Sequence, residues 1–370
     1  MKKMEEPGRM ENETVFVPQE MLIEILLRVP VKSLVRFKRV CKSWQSLISD
    51  PCFATSHFEF SRARTNRVLF FKPSDSNIRS MDLDASFDDH DDSVSASLKL
   101  GFLHPKHDFP VRIMGSCRGF VLLDCHQNLY IWNPSTGVHK KISVSNSLNE
   151  KFLYGFGYDS SKDDYLIVLA SSSHSNKVKW KIFSLRDNIW KKIKGNHLPS
   201  IDVFGYPRSR AIARVGSLFN SAIHWLAFSN GLSKNVIVAF DLVERTFSEM
   251  LLPEDTYAYF DYDDDMLPDW SLGVHDGFLS LFISVKDVGF VWIWVMKEYE
   301  VSSSWEVESF LKISAFNPIC CTESGDFVGR NGGGLVKCDH KGKPLSHCSY
   351  SVDPYGFKAA MYTESLFSLP

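Results

Sequence analysis

The chain has 370 residues and a formal net charge of −2, with 44% apolar and 23% charged residues. That composition is globular, and the length suits two domains or one large repeat array. The balanced charge excludes the overall basic character that draws nucleic acid, and 28 Phe, 12 Tyr and 9 Trp lean towards β-structure.

The opening MKKMEEPGRMENETVF has no apolar core of a signal peptide. Residues 1–14 are polar and charged and are expected to form a disordered lead-in. The longest strongly apolar run, Phe290 to Met296, is far shorter than the about 20 residues a spanning helix needs. A soluble intracellular protein, cytoplasmic or nuclear, with no membrane contact is the expectation. The eight cysteines contain no CxxC pair and read as reduced thiols.

From Val17 to Asp50 the pattern is helical. Pro18 suits a helix start. Met21, Leu22, Ile25, Leu26 and Val29 then fall on one broad face, and Pro30 ends or bends the segment. A second apolar set, Leu34, Phe37, Val40, Cys41, Trp44, Leu47 and Ile48, recurs every three or four residues, and Pro51 is expected to stop it. Helices this short are marginal alone, so the segment needs a surface to pack on, in this chain or in a partner.

The ordered run Val17-Pro18, then Glu24-Ile25-Leu26, Val29-Pro30-Val31-Lys32-Ser33-Leu34 and Cys41-Lys42-Ser43-Trp44, resembles an F-box in the form common in plants. Val17 and Val29 stand where that family usually has Leu. The resemblance implies docking on the Skp adaptor of a cullin–RING ubiquitin ligase. Carried over position by position, the adaptor-binding residues are Pro18, Met21, Leu22, Ile25, Leu26, Leu34, Cys41, Lys42 and Trp44. Read without the resemblance, the same residues make an amphipathic hairpin facing its own core.

Beyond about Phe58 the helical period gives way to β-type runs: Arg67–Lys72, Gly119–Leu123, Leu129–Trp132, Tyr165–Ala170, Val236–Phe240 and Leu279–Val285, separated by Gly, Pro, Asn, Asp and Ser. A weak repeat runs through them. Trp132, Phe183, Phe240 and Trp294 each lead into a polar turn and a second strand, at separations of 51, 57 and 54 residues. Met81-Asp82-Leu83 precedes this series and Val336-Lys337-Cys338-Asp339 follows it. Six units of this period belong to a β-propeller. The apolar tail within 355–369 is expected to lie against the first strands and close the ring.

This region resembles the F-box-associated domain of plant proteins, including the S-locus F-box relatives and those labelled F-box/kelch. The residues concerned are Gly115-Ser116-Cys117-Arg118-Gly119, Trp132-Asn133-Pro134-Ser135, Tyr154-Gly155-Phe156-Gly157-Tyr158-Asp159 and Tyr362-Thr363-Glu364-Ser365-Leu366. The expected architecture is mainly β with a small α N-terminal module: F-box over 15–52 and a six-bladed β-propeller over 53–370.

The residue sets that could carry chemistry point elsewhere. Asp261, Asp263, Asp264 and Asp265 begin like an EF-hand loop, but Met266 and Leu272 stand where Gly and Glu are required. Asp82, Asp84, Asp88, Asp89, Asp91 and Asp92 read as a solvated loop. Gly329-Arg330-Asn331-Gly332-Gly333-Gly334 lacks the Lys-Ser/Thr of a P-loop, and Asn331-Gly332 reads as a hairpin turn. Cys338, His340, His347 and Cys348 fit no standard zinc spacing. No metal and no cofactor is expected, and a glycosidase propeller is unsupported by any motif. The six basic residues between Glu24 and Asp50 (Arg28, Lys32, Arg36, Lys38, Arg39, Lys42) suit encounter with an acidic adaptor better than nucleic acid.

The expected function is a non-catalytic substrate receptor of a Skp–cullin–F-box ligase. Its partners are the Skp-type adaptor, through it the cullin–RING ligase, and a target protein of unknown identity. The loop Tyr257–Asp269, aromatic and acidic together, is a candidate target contact. An F-box scaffold acting outside the ligase is the second reading, and an enzyme the third.

Overall fold

The computed structural model describes residues 18–61, 66–71, 77–83, 95–103, 111–125, 128–144, 151–172, 178–194, 198–202, 215–256, 268–285, 289–322, 324–331, 334–349 and 358–369. The lead-in 1–14 and most of the acidic loops, 84–94 and 257–267, lie outside these residues.

Four helices come first: α1 (Gln19–Leu27), α2 (Val31–Phe37), α3 (Lys42–Ser49) and α4 (Pro51–Ser61). Pro18 and Pro30 each sit immediately before a helix, with ψ near 143–144°. The second apolar set is two helices, because Cys41 is extended and caps α3. α3 ends at Ser49, just before Pro51 as expected, and Pro51 in turn starts the next helix. Its missing N–H costs nothing at a first helical position, and Asp50 Oδ1 accepts from the main-chain N–H of Cys52 at 2.8 Å and Phe53 at 3.0 Å. The helical module therefore crosses the boundary expected at residue 52 and runs to Ser61.

The rest is a ring of six antiparallel sheets. The first contains β1 (Asn66–Phe71), β2 (Asn77–Asp82) and β3 (Ser95–Lys99). The second is β4 (Arg112–Cys117), β5 (Phe120–Cys125), β6 (Asn128–Trp132) and β7 (His139–Ser143). The third is β8 (Lys151–Asp159), β9 (Asp164–Ser172), β10 (Val178–Ser184) and β11 (Ile189–Lys192). In the fourth, β12 (Ile201–Asp202) and β13 (Ser217–Phe219) share the inner edge of β14 (Ala222–Ser229), followed by β15 (Lys234–Asp241) and β16 (Phe247–Leu251). The fifth is β17 (Asp269–His275), β18 (Phe278–Val285), β19 (Phe290–Met296) and β20 (Trp305–Leu311). The sixth is β21 (Phe316–Cys321), β22 (Phe327–Asn331), β23 (Gly334–Cys338) and β24 (Pro344–Ser349).

The ring closes as the tail composition suggests. β25 (Lys358–Thr363) pairs antiparallel with β1, Val68 facing Met361, and supplies the inner strand of the first blade. The sequence repeat also has a structural meaning. Met81, Trp132, Phe183, Phe240, Trp294 and Val336 all lie on the third strand of their blades, just before the turn to the fourth. Side chains organise those turns. Asn133 Oδ1 accepts from Ser135 N at 2.9 Å, Asp241 Oδ1 from Val243 N at 2.7 Å and Asp339 Oδ1 from Lys341 N at 2.9 Å. The Gly-rich hairpin is shifted by one residue from expectation: Asn331 pairs with Gly334, so Asn331 ends a strand and 332–333 join the two.

Each blade buries its faces on its neighbours. The third and fourth blades meet through Leu166, Val168, Trp180, Trp225, Val236 and Phe240. Trp180, Trp225 and Trp270 are fully buried, each worth on the order of 1.5–3 kcal/mol or more by area. Trp225 fits because Gly155 and Gly216 leave room: a Cβ on either would lie 2.6 Å from its indole. Its Nε1 donates to the main-chain oxygen of Tyr154 at 2.8 Å, which joins blade to blade.

Candidate protein-interaction site

The helical module builds a small core from Leu26, Val31, Leu34, Ile48, Phe53 and Ala54. What remains outside is informative. Met21 and Ile25 are one helical turn apart on α1 and are 58% and 54% exposed, and Val40 between α2 and α3 is 62% exposed. Large apolar side chains placed together and left uncovered mark an interaction surface. Pro18, Cys41 and Lys42 are exposed, and Leu22 and Trp44 are half-buried. Trp44 packs edge-on against Phe37, ring centres 5.4 Å apart. Leu26 and Leu34, by contrast, are wholly inside the core. The nine residues chosen from sequence thus divide into five that are exposed, two that are half-buried against the core and two that lie inside it.

Charge surrounds this surface. Arg28 Nη1 pairs with Glu24 at 2.7 Å, while Lys32, Arg36, Arg39 and Lys42 are exposed. Burial pulls the Lys38 ammonium below its ordinary range. Under the module, His57 Nε2 donates to the main-chain oxygen of Val29 at 2.9 Å, and its Nδ1 accepts from Ser61 Oγ at 3.2 Å. Burial lowers its pKa, so the imidazole is held neutral.

The ring has two distinct faces. One carries the β4–β5 turn at Arg118 and the β6–β7 turn at Asn133, and α4 and the tail pack there. Through the middle runs a cavity of about 840 Å³, walled by β4, β8, β13, β17, β21 and β25. Arg112, Ser217, Ser271, Asn317 and Arg330 supply polar groups to its wall. Some are already engaged: Arg112 pairs with the buried Asp124, and Ser217 Oγ donates to the main-chain oxygen of Leu272 at 2.6 Å. Among the described residues no three His, Cys, Asp or Glu come together to hold a metal ion. The buried thiol of Cys117 is pushed up to about 12 by desolvation, and Cys338 equally, which keeps both as inert thiols. No described helix is long and apolar enough to cross a membrane.

Comparison with known families matches residues 17–55 to the F-box domain and residues 69–364 to the F-box associated beta propeller domain. The chain belongs to the F-box-associated β-propeller family. Among its relatives, the F-box/kelch-repeat protein At3g23880 of Arabidopsis thaliana is 33% identical over 306 residues, 78% of each chain. The F-box protein CPR1 of the same plant is 30% identical over 381 aligned residues, 95% of this chain and 88% of that one. Among solved structures, TolB from Acinetobacter baumannii superposes with a TM-score of 0.47 at 11% identity, over 84% of this chain and 73% of that one.

The F-box does not hang loosely from the propeller. The Arg118 guanidinium, in the turn between β4 and β5, lies 5.6 Å from the ring centre of Phe58 on α4. It also lies 4.2 Å from Tyr158 on β8, and 5.1 Å from Phe367 in the tail after β25. Burial, with a hydrogen bond to Asp163 adding to it, pushes Tyr158 up to about 12, so that ring meets the cation as a neutral phenol. Fully buried Asn133 donates through Nδ2 to the main-chain oxygens of Ser365 at 3.1 Å and Phe367 at 3.0 Å. Leu366 enters the F-box core, and Phe367 packs against both that core and the one between the second and third blades. Arg118, Asn133 and Ser365 figured in the sequence only as carriers of the family resemblance. The signal that marks them is a polar residue at a strand-end turn beside aromatic neighbours.

Proposed function

We propose that the chain is the substrate-receptor subunit of a Skp–cullin–F-box ubiquitin ligase, working inside the cell. The F-box docks on the Skp-type adaptor through Met21 and Ile25. Pro18, Cys41 and Lys42 sit beside them, Leu22 and Trp44 are at the margin, and Leu26 and Leu34 shape the surface from within. One observation carries this reading: Met21 and Ile25 are exposed one turn apart while Leu26, Val31, Leu34 and Ile48 are consumed by the module's own core. A few such anchors supply most of the energy of a helix-borne contact.

The propeller holds a target protein, on the face opposite the F-box. Ligation chemistry lies with the partners. This chain's contribution is to raise the effective concentration of target near the ubiquitin-loaded enzyme. Most of the Tyr257–Asp269 loop, suggested from sequence as a target contact, lies outside the described residues.

The test is affinity capture of the intact chain alongside Met21→Ala/Ile25→Ala. The reading expects adaptor and cullin with the wild type and neither with the double variant. Adaptor without cullin would favour the scaffold reading, and no adaptor at all would overturn both.

A further inference from the structure

We propose that Arg118 is a positioning residue: gripped by Phe58, Tyr158 and Phe367, it fixes the angle between the F-box helices and the propeller. The consequence for ubiquitin transfer rests on the receptor reading above, whereas the rigidity of the joint does not. Four observations converge on it. The cation touches one ring from each of three units, the F-box helix α4, the third blade and the tail. Phe58 and Phe367 also meet each other, ring centres 5.2 Å apart. The tail is pinned independently by Asn133 Nδ2, and by Ser135 Oγ, which accepts from Ser365 N at 3.3 Å. Gly119, next to Arg118 with φ +79°, gives the tail its room: a Cβ there would stand 2.0 Å from Ser365 Oγ.

The tail bridges the helices and the blades. It leaves the innermost strand of the first blade, crosses beneath the second, and places Leu366 in the F-box core. A guanidinium is suited to the centre of such a joint because it presents a flat cation to several aromatic faces at once. An ammonium can satisfy fewer of them. A neutral chain satisfies none.

A receptor gains from a fixed angle. Adaptor and target sit on opposite faces, separated by at least the ~23 Å span of a strand such as the seven-residue β17. A loose hinge at that distance would spread the target over a wide volume and lower its effective concentration at the ubiquitin donor.

The experiment compares the full chain with Arg118→Met and Arg118→Lys. Hydrogen exchange and small-angle X-ray scattering are read on each. With Arg118→Met, exchange should rise at least tenfold both at 57–61 of α4 and at 364–367, while β9 and β15 are unchanged, and the maximum dimension should increase. Arg118→Lys should fall between the two. Adaptor capture should stay at the wild-type level, since Met21 and Ile25 lie away from the joint. Scattering profiles that superpose for all three chains would overturn the proposal, as would faster exchange confined to the tail. Should Arg118→Met lose the β9 and β15 protection, Phe367→Leu, outside every blade strand, is read by the same two measurements and decides the matter. Failure of the wild type to capture adaptor counts against the receptor reading alone.

Discussion

His224 Nε2 and the Tyr299 hydroxyl lie 2.9 Å apart, joining the fully buried imidazole on β14 to a half-buried phenol in the turn after β19. Nδ1 faces the main-chain oxygen of Ser217 at 3.2 Å, so it must carry the proton and donate, which leaves Nε2 to accept from Tyr299. Burial lowers the His224 pKa from 6.5 to about 4. Between those values the unfolded chain binds a proton that the folded chain refuses. The contribution is therefore fully present above pH 6.5 and lost as pH falls towards 4, about 3 kcal/mol in all. Urea midpoints of the wild type should fall across this window. Those of His224→Asn should change less, and equal slopes would show that another group controls the response.

The F-box surface and its core should respond differently to truncation. Met21→Ala with Ile25→Ala removes exposed side chains and should reduce adaptor binding by at least tenfold with the melting transition unchanged. Leu34→Ala opens a cavity in the helical core and should cost about 2–5 kcal/mol. Its loss of binding should track loss of helix signal. Calorimetry beside adaptor titration separates the two.

Blade packing is sensitive at Gly155. A methyl group there would meet the Trp225 ring at 2.6 Å and Ile223 at 2.7 Å. Gly155→Ala should destabilise the propeller by about 1–3 kcal/mol. Gly137→Ala, where nothing lies within 4 Å but φ is +78°, should cost only backbone strain, about 1 kcal/mol. Chemical denaturation of the two variants side by side checks the ordering.

Removing 355–370 takes away β25 and leaves the inner edge of β1 unpaired. Exposed strand edges promote association. The truncated protein should be aggregated by size-exclusion chromatography and cut rapidly by trypsin. A monomer with the wild-type melting temperature would mean that the ring tolerates an open seam.

Much of the fold was legible because short-range chemistry repeats. Phe183, Phe240 and Trp294 mark equivalent strands, and Asp241 and Asp339 bond to main chain two residues on, so both lie within one window of sequence. Pro51 ends α3 as expected, but the helix it starts is not legible until Asp50 is seen to cap it. The divided inner edge of the fourth blade, β12 with β13, has no periodic signature at two and three residues. The exposed anchors Met21 and Ile25 could be named from sequence, but so were Leu26 and Leu34. An amphipathic stripe does not say which of its members its own core consumes. The joint was least visible, since Asn133 and Ser365 are 232 positions apart.

The pairing of β25 with β1 also sets an order in time. A ribosome releases the F-box helices before the blades, and this strand after β1 to β24. Until it emerges, the first blade lacks its innermost strand, the ring has a gap, and the F-box core lacks Leu366. A nascent product that stops short of β25 therefore carries the exposed Met21 and Ile25 on an unfinished scaffold. Synthesis of 358–369 is what turns a string of partly built sheets into a single body.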